Sequence, residues 1–132
     1  MRKTKIVLAL LCAAAAAAPF LSSAQPAGFK RIPIQRADLS APGREVVQAI
    51  AELPVGMAVG RHTHAGEEVS YVLEGTLLLL IDGQPPREVK AGDGFVDPAG
   101  MVHDAKVAGD KPVKVLATYI VEKGKPLATP AP

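Results

Sequence analysis

The chain has 132 residues, with 15 Lys and Arg against 13 Asp and Glu, three His, one Cys and no Trp. That length suffices for one compact domain and is too short for two. No basic run occurs in the body of the chain, which argues against a nucleic-acid or anionic-lipid partner.

The N-terminus places Arg2, Lys3 and Lys5 before the apolar stretch Ile6 to Ala18, followed by Leu21, Ser22, Ser23 and Ala24. Charged start, apolar middle and small residues at the end are the pattern of a secretory signal peptide over residues 1–24, cleaved after Ala24. The apolar run is shorter than the roughly 18 to 20 residues a bilayer span needs, so no membrane contact is expected after cleavage. Cys12 follows Leu11 inside this run, which does not suit a lipid-anchor site. Removing the signal would leave 108 residues without cysteine and with 12 basic against 13 acidic residues, a net charge of −1. A periplasmic or secreted protein is the expectation, stabilised by its core, by metal or by oligomer contacts rather than disulfides.

Residues 25–44, with Pro26, Pro33 and Pro42, suit an extended N-terminal arm better than a helix. Short apolar or alternating runs then follow over Glu45 to Glu52, Val55 to Arg61, Glu68 to Leu73, Thr76 to Ile81, Arg87 to Lys90, Gly94 to Asp97, Val102 to Val107 and Val113 to Val121. Glycine and proline punctuate them, and Asp82-Gly83 is a strong hairpin signal. The reading is all-β, a small sandwich or barrel over residues 45–122. Residues 123–132 carry three prolines and are expected to form a flexible tail.

All three histidines lie in two glycine-punctuated segments. In a strand, residues two apart share a face at about 6 to 7 Å, so His62 and His64 can lean toward one point. Imidazole nitrogens about 2.1 Å from a common ion would make them ligands. The turn at Ala65 and Gly66 returns the chain so that Glu68 faces the same interior, and His103 is the remaining histidine that can complete the set.

The two segments resemble the paired motifs of the cupin superfamily. Gly56, His62, His64, Glu68 and Gly75 occupy every position of the first motif, and Gly92, Pro98, Gly100 and His103 those of the second, where Val107 replaces the final asparagine. The resemblance implies a single cupin jelly-roll β-barrel. It also implies a divalent first-row metal, Fe, Mn, Ni, Cu or Zn, held by His62, His64, Glu68 and His103, with one or two positions left for water or substrate.

Alternation from the ligands turns Gly60, Ser70, Val72, Met101 and Ala105 toward the interior, giving a small and mostly apolar pocket. Arg61, Tyr71 and Lys106 fall on the outer parity, Glu67 reads as solvated, and Phe95 and Tyr119 read as core filler. No cationic clamp for a carboxylate or phosphate stands out. The expected function is an exported mononuclear cupin acting on or binding a small organic molecule, as a dioxygenase-like or isomerase-like metalloenzyme with Glu68 able to accept a proton. The competing reading is a non-catalytic binding or sensing module with a structural metal; a storage or scaffold role ranks last because the ligands are intact. A homodimer is expected, because exposed sheet edges and an extended arm invite pairing.

Overall fold

The computed structural model describes residues 26–132, so the expected signal peptide lies outside the described residues. Ten strands follow in chain order: β1 (Lys30–Asp38), β2 (Arg44–Leu53), β3 (His62–Thr63), β4 (Gly66–Glu74), β5 (Thr76–Ile81), β6 (Arg87–Lys90), β7 (Gly94–Asp97), β8 (His103–Val107), β9 (Val113–Glu122) and β10 (Thr129–Pro130). They form two antiparallel five-stranded sheets, β1-β2-β9-β4-β7 and β10-β3-β8-β5-β6, a jelly roll without helices among the described residues.

Strict alternation puts one face of each long strand in the core. In β5, Leu77, Leu79 and Ile81 are buried, and in β9 every second residue from Val113 to Val121 is buried. Leu77, Leu79, Ile81, Val113 and Val115 join Leu53, Val72, Val89 and Phe95 in the main apolar cluster, while Ala117, Tyr119 and Val121 form a second one with Val47. Each fully buried aliphatic side chain of this kind contributes about 1.5 to 3 kcal/mol.

Two glycines set how closely the chain can pack. A Cβ on Gly66, at the start of β4, would sit 1.9 Å from the Ile120 carbonyl oxygen on β9. At Gly75, which turns β4 into β5 at φ 79°, a Cβ would lie 2.4 Å from the Pro112 carbonyl oxygen. At both points the chain can come this close to the backbone of Ile120 and of Pro112 only because the side chain is missing.

Three expected segments differ. Val55 to Arg61 is not a strand: Gly56 and Gly60 take positive φ of 77° and 94°, and only an isolated bridge between Ala58 and Lys106 remains. The N-terminal arm is extended, and from Lys30 to Asp38 it is an edge strand paired along β2, with a register shift between Pro33 and Gln35. The C-terminal segment, expected to be a flexible tail, is docked. Thr129 and Pro130 pair with Thr63 and His62, Ala131 donates its N–H to the Arg61 carbonyl, and Leu127 packs beside Val47, Ala117, Tyr119 and Val121. Prolines prevented a helix there without preventing a short edge pairing.

Candidate metal centre

His62 on β3 stands opposite His103 on β8, and His64 follows two residues after His62. The three rings converge, with centroid separations of 4.3 Å for His62 and His103, 4.9 Å for His62 and His64, and 5.0 Å for His64 and His103. Each ring is oriented from behind by a backbone carbonyl: Gly60 at 2.7 Å from Nδ1 of His62, Leu127 at 2.5 Å from Nδ1 of His64, and Met101 at 3.0 Å from Nδ1 of His103. A carbonyl only accepts, so the neutral ring must carry its proton on Nδ1 and leave a lone pair on Nε2. Outer partners of this kind fix the tautomer that a metal requires.

Glu68 enters from β4 and is buried. Its Oε1 accepts a 2.6 Å hydrogen bond from the Ser70 hydroxyl, and its Oε2 lies 2.9 Å from Nε2 of His64. Among the described residues Nε2 of His64 has no hydrogen bond of good geometry, and with Nδ1 turned to the Leu127 carbonyl it presents a donor atom to the same point as Oε2 of Glu68.

Asp97 on β7 pairs across the sheet with Glu68, which on its other side pairs with Tyr119 of β9. All three side chains are buried, forming a row on the inner face. Asp97 Oδ2 lies 3.4 Å from Nε2 of His103, while Oδ1 of Asp97 and Nε2 of His103 are buried without a hydrogen-bond partner among the described residues. Two sets of ligand atoms lie within 4.8 Å of one another: His62, His64 and His103, and Glu68, Asp97 and His103. Three buried donor atoms lacking partners, in a set of imidazole nitrogens and carboxylate oxygens, fit a divalent first-row metal.

Burial shapes the charge states. It lowers the His62 pKa to about 4, against the hydrogen bond to Gly60, and lowers that of His103 as well. Both rings are therefore neutral and ready to ligate near neutral pH. For Glu68, burial pushes upward, but the facing His64 and the Ser70 hydroxyl outweigh it and hold the carboxyl below its ordinary value. Asp97 goes the other way: burial first, then the negative charge of Glu68, raises it to about 7. Burial, followed by Glu68, also raises the Tyr119 phenol.

A cavity of about 40 Å³ opens onto this cluster, touching His62, Glu68, Asp97 and His103. It has room for roughly three waters. Phe29, Leu53, Leu77, Phe95 and Val115 supply apolar wall, and Arg31 and Tyr119 its remaining polar groups.

Of the residues expected to line the pocket, Ala105 does so, whereas Gly60, Ser70, Val72 and Met101 do not. Ser70 turns its hydroxyl to Glu68, Val72 is fully buried one step further into the core, and Met101 packs on the main cluster. Gly60 sits at the positive-φ turn before β3, its N–H donated to the Asp104 carboxylate at 2.9 Å. Tyr119 and Phe95, expected as core filler, are buried and also border the cavity. Val107 packs against the core.

Sequence reasoning missed Asp97 and Arg31. The first was available, because alternation that turns Phe95 inward turns Asp97 inward too. Arg31 left no such signal: its arm, interrupted by prolines, did not announce a strand.

A family model described as a cupin domain matches residues 49–119. The chain is 30% identical over 70 residues to the dimethylsulfoniopropionate lyase DddQ of Ruegeria pomeroyi, a match covering 53% of this chain and 34% of that protein. It is 41% identical over 63 residues to germin-like protein subfamily 2 member 1 of Arabidopsis thaliana, covering 44% of this chain and 29% of the relative. The match thus spans about a third of each of these two relatives. In fold, it resembles an uncharacterised conserved Klebsiella pneumoniae protein with a double-stranded β-helix domain, with a TM-score of 0.66, 16% identity and 85% of each chain covered.

Proposed function

Because this chain belongs to the cupin domain family, we propose that it is a metal-dependent enzyme acting on a small organic molecule. In this reading His62, His64, Glu68 and His103 hold a divalent metal and Asp97 moves a proton. The observation that carries the reading is the convergence of the three imidazoles and Glu68 on one buried point, with Oδ1 of Asp97 beside them lacking a hydrogen-bond partner among the described residues. A ligand set with a further carboxyl at its edge separates a metal-holding role from a proton-moving one. Bound metal would supply Lewis-acid polarisation, or redox chemistry if it is redox-active. Asp97 Oδ1 borders the cavity and has no hydrogen-bond partner among the described residues, so it is open to a proton from substrate. The similarity to a protein named a lyase adds weight to proton transfer within a small substrate.

The test compares wild type with Asp97→Asn after loading each with manganese, iron, nickel, copper or zinc. A panel of small organic acids including dimethylsulfoniopropionate and oxalate, together with catechols and thiols, is screened with and without oxygen. We expect Asp97→Asn to keep its metal and lose at least about a hundredfold in turnover, the scale of general acid–base catalysis. Absence of turnover across the panel, with no exchangeable water on the metal, would favour the non-catalytic binding module. Turnover only with oxygen and a redox-active metal would favour the dioxygenase-like reading.

A second arrangement rests on the grouping of Glu68, Asp97 and His103. There Asp97 is itself a ligand, and Asp97→Asn would lose metal along with activity.

We also infer export and pairing. Intact mass of the secreted protein should show cleavage after Ala24. A homodimer would join through the edges left by β1 and β7, and light scattering that finds only monomer at high concentration would refute it.

A further inference from the structure

Arg31 comes from outside the segment that matches the family model, yet it reaches the cavity beside the metal-ligating cluster. It sits on β1 opposite Ala51 of β2, which in turn faces Val115 of β9. These short side chains leave room over the inner face for a long one. The guanidinium carbon lies 5.2 Å from the Phe29 ring centroid and 5.6 Å from that of Tyr119, so two aromatic faces hold the group in place. Along β1 it is the one residue that is not exposed.

Its hydrogen bonding is incomplete. Nε of Arg31 is buried and has no hydrogen-bond partner among the described residues. An unmatched guanidinium donor out of water is costly, and a guanidinium is a planar fork suited to carboxylates. Resting on the metal reading above, the charges around the cavity also favour an anion. A divalent ion and Arg31 bring three positive charges against at most two carboxylates, Glu68 and Asp97, since the imidazoles bound to metal are neutral. The largely apolar walls of the cavity weaken screening of this excess.

We infer that Arg31 is an anion subsite of this cavity, taking the carboxylate of a small organic substrate whose other end faces the histidine and carboxylate cluster. The size of the cavity selects short acids, and the apolar walls of Phe29, Leu53 and Val115 suit a short hydrocarbon part. A neutral amide of the same shape lacks the charge that Arg31 recognises.

The test uses the full chain labelled with ¹⁵N and loaded with zinc, titrated with acetate and separately with acetamide. The Arg31 Nε–H resonance is identified by its loss in Arg31→Met. Acetate is expected to bind saturably and move that resonance, and acetamide to leave it in place. Calorimetry should show acetate binding at least about tenfold weaker in Arg31→Met, the loss typical of a hydrogen bond to a charged group, with Arg31→Lys falling between. Zinc stoichiometry is measured on every sample. If acetate fails to bind, binds without moving the resonance, or binds Arg31→Met as it does wild type, the subsite is overturned while the metal centre stands. If zinc does not bind but acetate still moves the resonance, the metal reading fails and the subsite stands. Should Arg31→Met not fold, the wild-type resonance and Arg31→Lys carry the same decision.

Discussion

Glu68 and Asp97 face each other across the β4–β7 pairing, both buried, and the fold drives their carboxyls in opposite directions. Glu68 has His64 and the Ser70 hydroxyl to hold its charge, whereas Oδ1 of Asp97 has no hydrogen-bond partner among the described residues. Two identical functional groups in one row thus become chemically different through their neighbours alone.

The pH dependence of stability follows for the chelator-treated protein. Asp97 is raised from 3.8 to about 7, so its contribution is fully present below 3.8 and is lost as pH rises through 7. His62 is lowered from 6.5 to about 4, so its contribution is fully present above 6.5 and is lost as pH falls toward 4. Between about 4 and 6.5 the two oppose each other. In Asp97→Asn the His62 contribution is unopposed, and the thermal midpoint should climb more steeply with pH across this window than in wild type. Parallel melting profiles for the two proteins would show the assignment to be wrong.

His62→Ala and His103→Ala should each lose most bound metal. Metal that binds only the folded state stabilises it by about 2.7 kcal/mol at a hundredfold excess over Kd, and this increment should vanish in both variants. Metal content by mass spectrometry and melting with and without chelator provide the check. Unchanged metal in both variants would end the assignment.

The C-terminal segment holds part of the site in position, since the Leu127 carbonyl accepts from His64. Truncation before Pro126 should weaken metal affinity by about 10- to 100-fold, the usual cost of an outer-shell partner. Leu127→Ala keeps the carbonyl and loses only packing against the Tyr119 cluster. It should lower stability by about 1 to 2 kcal/mol and leave affinity near wild type. Competition with a fluorescent chelator separates the two outcomes, and equal affinity loss in both would show that packing, not the carbonyl, matters.

Gly66→Ala tests the close approach of β4 to β9. Its new methyl would meet the Ile120 carbonyl and force the strands apart, at a cost of about 1 to 3 kcal/mol or more. Gly60→Ala has open space around its Cβ and bears only the positive-φ penalty, about 1 kcal/mol. Urea denaturation should rank Gly66→Ala as the more damaging; the reverse order would remove the steric account.

Much of the fold was legible because a strand repeats every two residues. Alternation marked β2, β4, β5 and β9 within a residue or two, and glycine spacing marked most of the turns between them. The same period tied His62 to His64 and pointed to Glu68. It failed at Val55 to Arg61, where apolar residues look strand-like but Gly56 and Gly60 bend the chain.

By itself the sequence determined the all-β class, the run of short alternating strands, the family resemblance and the candidate ligands His62, His64, Glu68 and His103, because these depend on residue type and short spacing. Only the tertiary structure decided who stands next to whom. It put Asp97 beside Glu68, brought the Leu127 carbonyl behind His64 from 63 residues away, and carried Arg31 to the cavity on an edge strand. Those relations come from long-range strand pairing and burial, which no local period encodes, and they are what turns a shared ligand set into a particular site.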